Sequence, residues 1–523
     1  MRSLFYIISI SSILLIISLY NFFPSIIYLL FIIIPYIAIG IWDINSNHNI
    51  LRNYPVIGHL RYMLESVRPH IQQYFIASNQ SEKPFNREIR DLVYRRAKSV
   101  RNTLPFGTQK EIDSIGYEYI LHSLNPKIVN YEESRIVVGG DDCTKPYYAS
   151  RLNISALSFG AISANAVLAL NKGAKTGRFA QNTGEGGLSK YHLENNGDII
   201  WQIGTGYFGC RKSDGSFDIE KFKEQAIIEN VKMIEIKLSQ GAKPSHGSLL
   251  PAVKIDEEVA ELRSTELGKD SISPPAHSAF STPKELLYLI EQMRNESGGK
   301  PVGIKLCIGI RKEFMAICKA MIETNITPDF ITVDGAEGGS GAAPVEFTNR
   351  LGISANEGLI FVNNCLIGAG IRDKIKIISS GKIATGYDMI AKIALGADMC
   401  NSARAMMFAL GCLQSLECNT NKCPTGITTT DKSRMKGLVV EDKYKRVANY
   451  HGGTIEAYLK LLGAMGLDSS ENLSPSHINK YVENGVTKKY SDIYPEIKSG
   501  NFLTDSINSA YKDDWNSANS DEF

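Results

Sequence analysis

Cys412, Cys418 and Cys423 are separated by five and then four residues, and Pro424 follows the last of them directly. Three thiolates this close together on a stretch bearing Asn and Thr suit one soft metal centre, and a Cys-Pro ending is shared with iron–sulfur ligation. With no fourth cysteine in the run, a 3Fe-4S cluster fits better than a four-iron one. The competing account, three unrelated thiols in a large chain, loses weight beside the segments that accompany the run.

Two glycine-dense segments, Gln181-Asn-Thr-Gly-Glu-Gly-Gly187 and Asp334-Gly-Ala-Glu-Gly-Gly-Ser-Gly-Ala-Ala-Pro344, are of the kind that lets backbone approach a ligand closely. Gln181, Asp334, Gly338 and Gly339 are therefore cofactor-binding candidates. Ser379-Ser380-Gly381 and Asn401-Ser402-Ala403-Arg404 each end an apolar run just before a helical one, where backbone N–H groups face an anion. Lys305 lies inside the apolar run Gly-Ile-Lys-Leu, which is costly unless its head meets an anionic partner. A cation there would stabilise a reduced, negatively charged flavin ring.

The elements that must position these residues are legible as eight short apolar or β-branched runs, at 152–157, 178–182, 199–204, 233–238, 302–308, 330–334, 375–380 and 397–401. Helical spacers such as 284–293, 312–323 and 387–395 lie between several of them. Eight strand–helix units over about 250 residues predict an α/β fold, a (β/α)8 TIM barrel. In such barrels the active site forms at the C-terminal ends of the strands, with phosphate at the loops after strands 7 and 8. Ser380 and Ser402 stand at those places, so a phosphate-bearing flavin is the expected ligand. A proline-bearing insert between strands 4 and 5 is expected to shape the site.

At 523 residues, with 57 Lys and Arg against 55 Asp and Glu, the chain has no electrostatic footprint for nucleic acid. Six further cysteines, scattered and mostly within apolar runs, read as buried free thiols in a reducing compartment. From Ser3 to Trp42 no residue is charged, and Asn21, Pro24 and Ser25 split the stretch into two apolar runs. This predicts an N-terminal transmembrane helical hairpin, multi-pass with two helices. Arg2 before it and Arg52, Arg61 and Arg68 after it place both ends and the catalytic domain in the cytoplasm. The expected domains are the hairpin at 1–42, a lead-in subdomain at 43–150, the barrel with the thiol loop 412–423 at 151–467, and an extension at 468–523 whose last fifteen or so residues look disordered.

Gly204-Thr-Gly206-Tyr-Phe-Gly209 fits a dinucleotide fingerprint, but a turn (Cys210-Arg-Lys-Ser-Asp-Gly) follows where a helix is needed. A nicotinamide site is therefore rejected, and electrons are expected from another protein. His246 and His277, each near proline, are weaker candidates for donating a hydrogen bond to substrate.

Taken in order over roughly residues 100–450, these segments resemble the synthase region of glutamate synthases, especially a short, membrane-tethered subgroup. The matching stretches are Ser155-Ala-Leu-Ser-Phe-Gly-Ala-Ile-Ser163, Asn182-Thr-Gly-Glu-Gly-Gly187, Glu235-Ile-Lys-Leu-Ser-Gln-Gly-Ala-Lys-Pro244, Ser273-Pro-Pro-Ala-His277, the Asp334 glycine loop, and Cys412 through Gly426. The resemblance implies an oxidoreductase that reductively aminates 2-oxoglutarate, through 2-iminoglutarate, to L-glutamate. It implies FMN with Ser155 and Ala156 against the ring, Lys305 near N1, and Ser380, Gly381, Ser402 and Ala403 at the phosphate. Lys237 would stand near the keto acid, with Glu235 as a further catalytic candidate, and Cys412, Cys418 and Cys423 would hold the 3Fe-4S cluster. The electron donor would be a ferredoxin or a flavin reductase subunit. An apolar hairpin stands where the full enzymes carry an amidotransferase, so free ammonia or a partner's ammonia is expected. Tyr207 replaces an arginine of the full enzymes, and Ser245-His246-Gly247 departs from their acidic loop. The alternatives are transfer to a methylated amine, as in N-methylglutamate synthases, and a non-aminating membrane electron-transfer flavoprotein.

Overall fold

Eight parallel strands close into a barrel: β1 (Leu152–Ile154), β2 (Gln181–Asn182), β3 (Ile199–Ile203), β4 (Val231–Lys237), β5 (Val302–Cys307), β6 (Phe330–Asp334), β7 (Lys376–Ser380) and β8 (Met399–Ser402). Each pairs with the next, and β8 returns to β1 through Cys400 opposite Leu152 and Ser402 opposite Ile154. The structure is a computed structural model, and it describes every residue except 484, 495, 505 and 506. All eight expected strands are present. The first stops at Ile154 because the chain then leaves the ladder as a loop over the barrel mouth.

Both faces of these strands are covered, so they read as nearly continuous apolar runs rather than alternating ones. The helices between them carry their own start signals. Ser163, Asp218 and Ser354 cap the helices Ala164–Gly177, Ile219–Ala226 and Ala355–Gly368 with side-chain oxygens. Thr282 with Glu285, and Thr385 with Asp388, close capping boxes on Pro283–Glu296 and Gly386–Ala394. The helical patch expected near 453–466 is the second half of a 25-residue helix, Val440–Ala464, which packs on Ala164–Gly177 and Gly386–Ala394.

The barrel's two ends are chemically opposite. An antiparallel pair, Arg135–Val138 with Tyr147–Ser150, places Val138, Tyr147 and Ala149 in one buried cluster with Ile200, Met233, Phe330, Ile378 and Met399 near the starts of the strands. That apolar plug closes the N-terminal end. Polar and charged side chains collect at the C-terminal end, where the insert between β4 and β5 adds a two-residue ribbon, Leu249–Leu250 with Ser271–Ile272, and the helix Glu257–Arg263.

The expectation of a disordered tail is corrected. Residues Ser509–Ser517 form a helix whose Trp515 is buried, 5.0 Å from the Phe502 ring, and Asp514 pairs with Arg311 at 3.1 Å. Few polar residues suffice to hide this in the composition, because one tryptophan carries most of the apolar contact area of so short an element. The six cysteines outside the thiol run are free and buried, as expected.

The chain divides into two compact units, Met1–Glu88 and Ile89–Phe523. In the first, Arg2–Leu19 and Pro24–Asn45 are long and apolar enough to cross a membrane, and few of their residues are buried. At the end of the second span the fully buried Asp43 accepts hydrogen bonds from His59 Nε2 and Val56 N, both at 2.8 Å.

Candidate functional site

The strand ends β1, β7 and β8 meet at two contacts. Ser155 Oγ lies 3.1 Å from Ser380 Oγ, and Ser155 N donates to the Ser402 carbonyl at 3.0 Å. Gly381 follows with φ +140°, a conformation side chains rarely adopt, and Ala403 precedes the helix Arg404–Leu410. Ala156 is half-buried in the loop after β1. The residues expected at a flavin phosphate are therefore brought together.

Gln181, the first residue of β2, is fully buried, yet neither its amide oxygen nor its nitrogen has a hydrogen-bond partner among the described residues. Ser379 Oγ on β7 and Asn401 Oδ1 on β8 are orphaned in the same way. An unpaired buried polar group costs about 1–3 kcal/mol. The register sets Asn401 beside Ser380 on the inward face, whereas Gln181 and Ser379 share the outward face with Ile199 and Val333, so the residues that suit a flavin mononucleotide are Ser380, Gly381 and Asn401.

On the opposite side of the mouth, Lys305 Nζ is 3.6 Å from Asp334 Oδ2, beyond hydrogen-bond range, and makes no hydrogen bond among the described residues. It is buried rather than extended to solvent. Asp334 accepts from Gly241 N at 3.2 Å and Gly335 N at 3.0 Å, which ties the loops after β4 and β6 together. The approach demands glycine: a Cβ on Gly241 would stand 1.5 Å from the Gly335 carbonyl oxygen. Beyond it, Gly338 N returns to the Gly335 carbonyl, and Gly339 faces the Arg404 side chain.

Lys237, the last residue of β4, pairs with Glu185 at 2.6 Å, both nearly buried. Burial works to raise the Glu185 carboxyl, but Lys237, Lys243 and Arg263 overcome it and hold the group at about 2. Lys243 and Arg263 were not singled out by sequence. Lys243 is 3 % exposed, its ammonium makes no hydrogen bond among the described residues, and burial brings it down to about 8. Arg263 is 1 % exposed and donates to the Phe159 carbonyl at 3.2 Å with its guanidinium over the Phe208 ring. Three buried cations thus face one carboxylate.

Glu235 lies deeper in the barrel. Its carboxylate accepts from Asn182 Nδ2 at 2.9 Å, Gln202 Nε2 at 2.6 Å and the Thr332 hydroxyl, joining β2, β3, β4 and β6 beneath the mouth. His277 is fixed from both ring nitrogens, to Tyr207 Oη and the Lys237 carbonyl, each at 2.9 Å. That corrects its expected part as a donor to substrate: the ring has no N–H left to give. The Gly204–Gly209 segment turns into a short bridge between Arg211 and Phe217 and opens no helix, as its rejection as a dinucleotide site required.

The thiol loop runs from Gly411 past Cys423 without regular structure. Among the described residues no three His, Cys, Asp or Glu side chains converge as the grip of a single metal ion. An iron–sulfur cluster makes a different demand, since its cysteines bind different irons. Three thiols are the donor set one needs, and their sulfurs are near enough to act electrostatically on one another, while burial works against their ionisation, pushing Cys412 up to about 12 and raising Cys418. Burial opposes ionisation of Cys423 too, but hydrogen bonds from Thr425 and Thr428 hold it below the ordinary thiol range. The loop is tied to the rim beside β1, with Ser163 N donating to the Ile427 carbonyl at 2.7 Å.

Comparison with known proteins covers the barrel and the thiol loop. The conserved region in glutamate synthase matches residues 112–468. The glutamate synthase large subunit-like protein YerD of Bacillus subtilis is 38 % identical over 483 residues, spanning 84 % of this chain and 91 % of that protein. An archaeal-type glutamate synthase (NADPH) of Thermotoga maritima is 34 % identical over 322 residues, 61 % of this chain and 60 % of that protein. The archaeal glutamate synthase (NADPH) of Methanocaldococcus jannaschii matches over 61 % of this chain and 60 % of its own length, at 34 % identity. Against these two the chain thus spans about three fifths of the relative's length. Among solved structures, a mandelate oxidase mutant with an FMN adduct superposes over 82 % of this chain and 99 % of its own, with TM-score 0.42 and 12 % identity.

Proposed function

This chain belongs to the glutamate synthase family, and from that premise we propose that it reductively aminates 2-oxoglutarate, through 2-iminoglutarate, to L-glutamate. In this reading FMN lies at the barrel mouth, a 3Fe-4S cluster is held by Cys412, Cys418 and Cys423, and a partner protein such as a ferredoxin or a flavin reductase subunit supplies electrons. The two apolar helices anchor the chain in a membrane, with the catalytic body on the cytoplasmic side.

The observation that carries the reading is a charge count. Lys237 is matched by Glu185, and Lys305 by Asp334, which among the described residues leaves Lys243 and Arg263 without a carboxylate of their own. A buried cation without a partner is destabilising by several kcal/mol unless an anion arrives. Two such cations facing Glu185 at the C-terminal end of the barrel suit a dianionic dicarboxylate, and 2-oxoglutarate carries two such charges.

Bound FMN would supply the hydride. The chain's own residues do the rest. Ser155, Ser380 and Ser402 would hold and orient the cofactor, and Lys305 would offer it a fixed positive charge. Lys243 and Arg263 hold the carboxylates of the keto acid, which orients its C2 carbon for attack by ammonia and for reduction. Lys237, held by Glu185, would donate a proton as the keto oxygen leaves C2 as water and the resulting imine takes the hydride at that carbon. Glu235 acts from below, keeping Asn182, Gln202 and Thr332 in place.

Chemically reduced protein given 2-oxoglutarate and 15N-ammonium is expected to release 15N-labelled L-glutamate. Labelling only when 15N-methylamine replaces ammonium would move the reading to the N-methylglutamate type. Absence of any labelled amino acid with every amine tested would contradict amination altogether.

A further inference from the structure

We propose that Lys254 is a positioning residue that ties the thiol loop to the flavin side of the site and sets the potential of the centre that the loop carries. This inference rests on the iron–sulfur reading above.

Lys254 lies in the insert between β4 and β5, directly after the first strand of the ribbon, and is 1 % exposed. Its ammonium donates to two carbonyls at once, that of Ala161 at 2.6 Å and that of Cys418 at 3.1 Å. Ala161 belongs to the loop that begins at Ser155 after β1, and Cys418 is the middle cysteine of the thiol run. One side chain from a third segment therefore bolts together the two loops that would flank the flavin and the cluster. The Ser163 to Ile427 backbone contact is the second tie along the same seam.

The charge of Lys254 also needs an account. Among the described residues no carboxylate pairs with it, and the thiol groups on which its charge acts are Cys418 and Cys423. Lysine almost never stays fully buried without a counter-charge. A thiolate-ligated cluster is such a counter-charge, and it becomes more negative when reduced. A cation fixed beside it favours the reduced form, as charges and hydrogen bonds around cluster sulfurs do generally. Lys254 would thus make electron arrival at the thiol loop easier while keeping that loop against the flavin's edge.

The test uses the full-length protein and reads the midpoint potential of the cluster by redox titration with electron paramagnetic resonance, alongside iron content, flavin content and thermal melting. Wild-type protein without iron would refute the cluster reading itself, before any variant is made. With iron present, Lys254→Met is expected to keep its flavin and lower the cluster potential. The shift should be at least tenfold in the reduced-to-oxidised ratio at a fixed ambient potential, about 59 mV for a one-electron couple. Lys254→Arg, which keeps charge and donors, is expected to stay within threefold of wild type. An unchanged potential in an iron-loaded Lys254→Met overturns the proposal, and so does loss of iron from Lys254→Arg. If Lys254→Met alone loses iron, the tie between the loops is supported. Lys254→Gln, neutral but still a donor, then carries the potential measurement with the same expected fall, and a wild-type value in it overturns the charge argument.

Discussion

His277 gives its only ring proton to the backbone carbonyl of Lys237, 2.9 Å away. A carbonyl can only accept, so the proton is on Nε2, and Nδ1 must accept from the Tyr207 phenol at 2.9 Å. The phenol oxygen in turn accepts the backbone N–H groups of Ser278 and Ala279, both at 3.1 Å. Every donor in this chain is used once, and the phenol oxygen accepts twice. Its effect is to hold the end of β4, where Lys237 meets Glu185, against the loop that contains His277.

Cutting this chain should loosen Lys237 without removing it. His277→Phe leaves the Lys237 carbonyl unpaired, which costs about 1–3 kcal/mol of stability. It is expected to raise KM for the keto acid several-fold with kcat less affected. Tyr207→Phe leaves His277 Nδ1 and the Ser278 and Ala279 N–H groups without their partner, so it should cost at least as much stability, with a smaller effect on KM. Denaturant melts and steady-state kinetics on the two variants check the order; equal KM values in both and in wild type would separate the relay from the substrate.

Acid should destabilise the barrel well before its carboxylates titrate. Burial lowers His277 to about 4, and His192 and His451 to about 3, from an ordinary 6.5. These rings stay neutral in the folded chain while the unfolded chain protonates below 6.5, so their contribution is complete above that pH and is lost as pH falls from 6.5 towards 4. At pH 5 each accounts for roughly 2 kcal/mol. Glu185, held at about 2, adds a loss of the same sign only below about 4.5. The melting temperature should therefore fall between pH 7 and pH 5, and His451→Gln should flatten that slope.

Lys243 should trade stability against binding. Lys243→Met removes a buried ammonium without a hydrogen bond and replaces it with an apolar chain of similar length. The ligand-free protein is expected to melt higher than wild type, by the logic that replaces buried charge with packing. Affinity for 2-oxoglutarate should drop at least tenfold while flavin content is unchanged. A lower melting temperature together with unchanged affinity would show that the charge is satisfied within the protein.

Gln181 and Lys305 should separate cofactor binding from cofactor tuning. Gln181→Met removes two orphaned atoms, so it should not lower the stability of the flavin-free protein, and weakened flavin retention in it would put that side chain at the cofactor. Lys305→Ala should slow flavin reduction and shift its potential downward. Full flavin occupancy and wild-type reduction rates in both variants would move the cofactor elsewhere.

The barrel was legible because its strands are short, buried on both faces and punctuated by glycine or serine, as in Ile378-Ser379-Ser380-Gly381. The same punctuation marked Ser380, Ser402 and the Asp334 loop. Arg263 was not legible: it ends a seven-residue helix of the insert, and only chain closure over tens of residues brings it to Glu185. Lys243 lay within a quoted motif, yet nothing local says that its ammonium goes unpaired. The extended burial of Trp515 was likewise invisible to composition, since it depends on Phe502 and Lys319 reaching it from elsewhere in the chain.

The most direct measurement is the absorbance of the flavin after anaerobic mixing of the reduced protein with 2-oxoglutarate, with and without ammonium. Rapid reoxidation is expected only when both are present, with Lys243→Met slow under the same conditions. A flavin that stays reduced with every 2-oxo acid and amine, yet is oxidised at once by a quinone or a ferredoxin, would contradict the account.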